Sequence, residues 1–354
     1  MPTPFTWIDT PDDLNDAVER MRQADAIALD TEFVWEKTYY AQLGLVQVGF
    51  VDGTCYLIDA VALGDLSPLG TILADAGIIK ILHDAPQDLM ILRRATGALT
   101  RTVFDTRRAA GFAGFASTIS LGNLLADLLD VHLAKAHTRA DWLARPLAAG
   151  VLEYAADDVH YLPTVAARLR ERAHANGVEA WLNEELAGLD APDITAEPDP
   201  GEAGQRLRTR QPLPPRAQAV LNELAAWREN RARLADLPRR WLMKDNVLIA
   251  MALQMPQTMN ELTGVNGMPA KTVQHRGDEL LAAIARGLAQ PEADGPEAAP
   301  ALRRDGALRK EVDALLELIR THATQLGIDP ALVCSRNELA ALVQAGADAQ
   351  PQDH

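Results

Sequence analysis

The chain has 354 residues, nearly half of them hydrophobic, with only two cysteines and a formal net charge of -15. This length predicts two or three domains with a proper core, and the composition excludes a disordered chain. Cys55 and Cys334 fall in different expected domains, which excludes a disulfide scaffold; without a leader-like start or a long apolar run, the expectation is a cytoplasmic protein with no membrane segment, and a monomer is expected although the sequence leaves ring formation open.

In chain order, the first expected element is a helix over Pro11–Gln23. Ala26–Asp30, Leu43–Phe50 and Thr54–Asp59 read as strands, the last two joined by a hairpin at Asp52-Gly53. The apolar run Ile78–Leu82 predicts a further strand before His83. Asp84 is expected to cap a helix over Ala85–Thr96, with Pro86 in its first turn, Gln87 completing a loose capping box and Gly97 as the stop. A short strand at Thr102–Phe104 and a helix at Leu121–Leu129 follow, and Leu147–Ala173 reads as a long helical stretch that Pro163 divides. Hairpins followed by strand–helix alternation predict a mixed sheet flanked by helices. Downstream the pattern is helical over Ala219–Arg233, Asp245–Met255, Met259–Leu262, Thr272–Arg286, Leu308–Leu326 and Ser335–Ala345.

The chemistry concentrates at the exit of the first strand. Asp30 and Glu32, separated by a single residue, point to the same side of it. Carboxylates held that close raise each other's pKa unless a cation sits between them, and Mg²⁺ and Mn²⁺ prefer oxygen ligands. A lone Asp-x-Glu ends many strands without further meaning. Here it is accompanied by Asp88, in the first turn of the helix after Ile78–Leu82, and by Tyr154 and Asp158, spaced i and i+4 on one helical face. His83 reads as shaping the strand-to-helix turn rather than as a ligand, since nitrogen is unexpected in an oxygen-rich site.

The four acids Asp30, Glu32, Asp88 and Asp158, with Tyr154 four residues before the last, resemble the DEDD exonucleases of the Tyr-containing subtype. Trp142-Leu-Ala-Arg145-Pro146-Leu147, Phe104-Asp105-Thr106 and Tyr154-Ala-Ala-Asp157-Asp158-Val159 are similar to ribonuclease D. Leu262-Thr-Gly-Val-Asn-Gly-Met-Pro269, followed by His275-Arg-Gly-Asp-Glu-Leu-Leu281, resembles the end of an HRDC domain, a helical module that follows the exonuclease in that family. The resemblance implies a ribonuclease H-like α/β exonuclease domain followed by all-α HRDC-like domains. It implies a 3′→5′ exoribonuclease that uses two divalent ions, Mg²⁺ or Mn²⁺, releases nucleoside 5′-monophosphates and trims RNA with an accessible 3′ end, tRNA precursors above all. Asp30 would bridge both ions, Glu32 and Asp158 would complete the shell of the first ion, and Asp88 would hold the second ion, partly through water. The family pattern selects Asp158 over Asp157. Tyr154, a poor base at neutral pH, would orient the attacking water. A DNA 3′→5′ exonuclease and a noncatalytic RNA-binding scaffold are the alternatives.

Phe33 and Trp35 follow the acidic strand and could stack on terminal bases or simply pack. Lys135, Arg139 and Arg145 precede the Tyr154 helix and could clamp phosphates or lie on a loop surface; Trp142 reads as a packing anchor. The net charge is unlike that of a protein that coats nucleic acid. Acidic, Pro-rich stretches at Asp190–Glu202 and Gln290–Pro300 read as solvated linkers around a cluster running from Arg206 to Lys244, which is either a phosphate-contacting face or ordinary helix surface. The expected domains are an exonuclease at 1–188, a linker at 189–205, an HRDC domain at 206–289, a linker at 290–304 and a short or degenerate HRDC-like repeat at 305–354.

Overall fold

A computed structural model describes residues 3–133, 140–209, 211–290 and 306–346. The chain divides into two units, the first drawn from Met1–Val34, Gln42–Ala196 and Pro300–His354, the second from Trp35–Ala41 and Glu197–Ala299.

The first unit is built on a six-stranded mixed sheet. In chain order it contains β1 (Phe5–Ile8), α1 (Pro11–Arg22), β2 (Ala26–Val34), β3 (Gln42–Phe50), β4 (Cys55–Asp59), α2 (Ala60–Leu63), α3 (Ser67–Leu73), β5 (Ile79–Leu82), α4 (Pro86–Thr96), β6 (Val103–Asp105), α5 (Thr106–Phe112), α6 (Leu121–Leu129), α7 (Ala149–His160), α8 (Leu162–Ala175) and α9 (Glu179–Ala187). The strand order is β1-β4-β3-β2-β5-β6. β2, β3 and β4 run antiparallel to their neighbours within that trio, while β1 joins β4, and β5 and β6 extend from β2, in parallel. The expected hairpin closes β3 onto β4, with Gly53 at φ 84°, a left-handed conformation that glycine adopts freely. β2 runs beyond the expected Asp30 to Val34, so both acids lie on the strand itself, and its pairing with β3 shifts between Glu32 and Phe33.

Asp84 does not cap α4. It adopts φ 66° and pairs with Arg107, while the buried Asp105 carboxylate at the end of β6 accepts from the Asp84 and Ala85 amides at 3.1 and 3.0 Å. The cap thus comes from a neighbouring strand, where local sequence cannot show it. The start of the expected linker is likewise tied down: Asp190 accepts from the Thr102 and Val103 amides, and Arg93 donates to Thr195.

The second unit is helical, with α10 (Pro215–Ala235), α11 (Arg239–Leu242), α12 (Asp245–Gln254), α13 (Met259–Thr263) and α14 (Ala270–Ala289) around Val220, Leu224, Leu248, Met251, Leu262, Leu280 and Ile284. Residues 35–41, between β2 and β3, fold with these helices. Asp236, at the C-terminus of α10, accepts from the Tyr39 and Tyr40 amides at 3.0 Å; the Tyr39 hydroxyl donates to Glu229, and Arg239 lies over its ring. The last helices, α15 (Gly306–Leu326) and α16 (Arg336–Ala345), share a small core of Leu308, Val312, Leu339 and Ala340, and Ala323 and Ile328 join the core of the first unit. The two cysteines are free.

Candidate active site

Asp30 and Glu32 stand two residues apart on β2, so their side chains share one face of the sheet. α7 packs across β2, β3 and β4 and brings Asp158 to the same place. Glycine makes that approach possible. A Cβ on Gly49 of β3 would lie 2.5 Å from the Val159 carbonyl oxygen, and one on Gly44 would lie 2.3 Å from that of Trp142. The result is a trio, Asp30, Glu32 and Asp158, with carboxylate oxygens within 4.8 Å of one another. Asp157, the adjacent acid, instead accepts from the Thr3 hydroxyl at 2.5 Å.

Asp88 stands in the first turn of α4, as its sequence position implies, and is buried. Its carboxylate is not part of the trio; it accepts a hydrogen bond from the Thr31 hydroxyl, between the two strand acids. It is nevertheless close enough to act on Asp30 and Glu32 through its charge.

The four carboxyls hold their protons more tightly than exposed acids do. Burial pushes Glu32 up to about 8, helped by Asp158 and Asp88. Burial likewise takes Asp158 to about 7, against a hydrogen bond from Tyr154, and Asp88 to about 6, against the bond from Thr31. Asp30 lies well above the carboxylate range, first through burial and then through the like charges of Asp88, Asp158 and Glu32. A cation among these oxygens would reverse each of those repulsions. The all-oxygen donor set in mutual reach therefore fits a hard divalent ion.

Tyr154 reaches Asp158 along one face of α7, as the i, i+4 spacing requires. Burial, then the charges of Asp158 and Glu32, raise its phenol above the ordinary tyrosine range. It is a hydroxyl donor at working pH, not a base. Trp142 is buried with its ring 6.4 Å from that of Tyr154, and packs against it.

Other residues fall elsewhere. Arg145, a candidate phosphate clamp, is committed within the fold: its Nε donates to Asp59 at 2.7 Å and its other nitrogens to the Gly44, Trp142 and Ala144 carbonyls. Asp59 ends β4 and caps α2, so the guanidinium ties the segment before α7 to the sheet. An arginine whose fork is filled by a buried carboxylate has few donors left for a phosphate. Lys135 and Arg139 lie outside the described residues. Phe33 is half-buried at the end of β2, whereas Trp35 belongs to the second unit, half exposed, with its indole N–H on the Tyr39 carbonyl. His83 bridges the Thr106 hydroxyl and the Ile119 carbonyl, and burial lowers its pKa, in keeping with a turn-shaping role. Within the basic cluster, Arg228, Arg231, Arg233 and Arg239 pair with Asp245, Glu279 and Glu229 of their own unit.

Two residues next to the acids were not anticipated. Thr31 holds Asp88, and Gln47, facing Asp30 across the β2–β3 pairing, donates from Nε2 to Asp30 Oδ2 at 3.4 Å. The available signal was polarity out of place: a threonine between two acids, and a glutamine inside the apolar run Leu45-Val46-Gln47-Val48.

Residues 5–173 match the 3′-5′ exonuclease family, and residues 217–284 match the HRDC domain. Curated relatives named ribonuclease D include one from Desulfotalea psychrophila, 40% identical over 95% of this chain and 90% of its own, and one from Escherichia coli, 33% identical over 99% and 92%. The crystal structure of Escherichia coli RNase D, described as an exoribonuclease involved in structured RNA processing, superposes with a TM-score of 0.82 at 31% identity, covering 99% of this chain and 93% of that one.

Proposed function

This chain belongs to the ribonuclease D family, a hydrolytic 3′→5′ exoribonuclease, and from that premise we propose that Asp30, Glu32, Asp88, Tyr154 and Asp158 are its catalytic residues. The observation that carries the assignment is the trio of half-buried carboxylates within 4.8 Å, with Asp88 acting on them from α4. Two divalent ions, Mg²⁺ or Mn²⁺, complete the site; when bound, they stabilise the attacking and leaving oxygens of an in-line displacement.

The protein's own groups supply the rest. Asp30, Glu32 and Asp158, whose protons burial and mutual repulsion hold more tightly than usual, would be the oxygen ligands of a bound ion once ionised. Thr31 keeps Asp88 turned towards β2. Tyr154 remains protonated on Asp158 and orients the attacking water. Attack at phosphorus breaks the P–O3′ bond, releasing a nucleoside 5′-monophosphate and leaving a new 3′-hydroxyl on the shortened RNA.

The substrate is RNA with an accessible 3′ end, and processing of tRNA 3′ ends is the role that family membership favours. The protein works as a cytoplasmic monomer. In the described residues no helix is long and apolar enough to cross a membrane.

The test is digestion of matched RNA and DNA oligonucleotides, labelled at the 5′ end, with Mg²⁺, Mn²⁺ or EDTA, beside Asp30→Asn. A ladder shortening from the 3′ end of RNA, absent in EDTA and in the variant, is expected. Preferential cutting of DNA would replace the substrate assignment. RNA retention without cleavage under every metal condition would favour a scaffold.

A further inference from the structure

We propose that Gln47 is a positioning residue of the acidic site: its side-chain amide fixes how Asp30 is presented and so sets how tightly the site holds a divalent cation. The proposal rests on the reading of Asp30, Glu32 and Asp158 as ligands.

Gln47 is fully buried on β3, among the equally buried Leu45, Val46 and Val48, and pairs directly across from Asp30 in the antiparallel ladder. Its Nε2 donates to Asp30 Oδ2 at 3.4 Å, while its Oε1 is buried and meets no donor. A half-satisfied amide in a sheet core weakens the fold, and methionine, of similar length and without polar hydrogens, would fill the space without that penalty. The sheet therefore gains nothing from the amide, and the residue that does gain is Asp30. Once ionised to hold a cation, the Asp30 carboxylate only accepts hydrogen bonds, and the N–H₂ end that faces it is then the end it needs, with Oε1 directed away from that contact.

Holding one carboxylate oxygen limits rotation of the group about its own axis and directs the remaining lone pairs. Thr31 does the same for Asp88 from the adjacent strand. Carboxylates that bind metals are usually held in this way, and loss of the outer partner weakens metal binding by about 10- to 100-fold.

The experiment uses the full chain and the variants Gln47→Met and Gln47→Leu. Mn²⁺ binding is measured by titration calorimetry, melting temperature in EDTA, and kcat and KM on an RNA oligonucleotide. The expected result is an unchanged or raised melting temperature, Mn²⁺ affinity down by about 10- to 100-fold, and unchanged KM for RNA at saturating Mn²⁺. Wild-type Mn²⁺ affinity in a variant that melts normally would overturn the proposal. Failure of both variants to reach the wild-type melting temperature in EDTA would also overturn it, by assigning the amide to the sheet. Asp30→Asn and the wild type keep the two readings apart: absence of Mn²⁺ binding by the wild type, or its persistence in Asp30→Asn, would undo the metal-site reading itself.

Discussion

Tyr154 shows how environment decides a residue's role. A phenol raised by burial and by two neighbouring carboxylates does not act as a phenolate base near neutrality, so the contribution proposed for it is the placement of water. Tyr154→Phe removes one oxygen and leaves the four acids in place. It is expected to keep Mn²⁺ affinity within about threefold while lowering kcat on the order of 10²-fold, the scale on which misplaced reactants lose rate. Calorimetry beside single-turnover cleavage checks both parts. A variant that loses metal and rate together would make Tyr154 a support for Asp158 instead. The same lesson applies in reverse to Arg145, whose sequence position suits a phosphate clamp but whose side chain is spent on Asp59.

At the scale of elements, the site depends on one close approach, that of α7 to β3. Helix and strand lie near enough for Asp158 to join Asp30 because Gly49 presents no side chain to the carbonyl of Val159, the residue immediately after Asp158. Gly49→Ala would push a methyl to 2.5 Å from that oxygen, and backbone cannot yield as a flexible side chain does. The expected outcome is a loss of about 1–3 kcal/mol of stability, as overpacking typically costs. A fall in kcat on the order of 10²-fold should accompany it, since a shift of roughly 1 Å in a catalytic group has that effect. Denaturant melts and initial rates test it; a variant with wild-type stability and rate would show that the approach is adjustable. The β2–β3 ladder matters equally, because its register alone sets Gln47 opposite Asp30.

For the whole molecule, four carboxyls crowded together make stability depend on pH and on metal. Glu32, Asp158 and Asp88 titrate in the fold near 8, 7 and 6, above the values of about 4 they take in an unfolded chain. The folded state then holds protons that the unfolded chain releases. Their contribution is complete below about pH 4 and is lost as pH rises through 6 to 8. His83, held neutral by burial, works in the opposite sense through a single group. In EDTA the melting temperature is therefore expected to fall between pH 5.5 and 8.5, by about a few degrees. Saturating Mn²⁺ should restore more of it at the upper end, where the ligands are already ionised. A metal-dependent gain that did not grow with pH would contradict the assignment. The strands β2 to β6, the hairpin and the helices carrying Asp88, Tyr154 and Asp158 were legible because faces and ends are written in local spacing and turn residues. The short β1 and the helices α2, α3 and α5, each seven residues or fewer, left too brief a pattern to read. By itself the sequence determined the acids, their order and the face each element presents, since those follow from periodicity within a dozen residues. Only the tertiary structure decided that Asp105 caps α4, that Arg145 is held by Asp59, that residues 35–41 fold with the second unit and that Gln47 faces Asp30. Those partners lie far apart along the chain, and burial and strand pairing, which no local pattern encodes, are what bring them together.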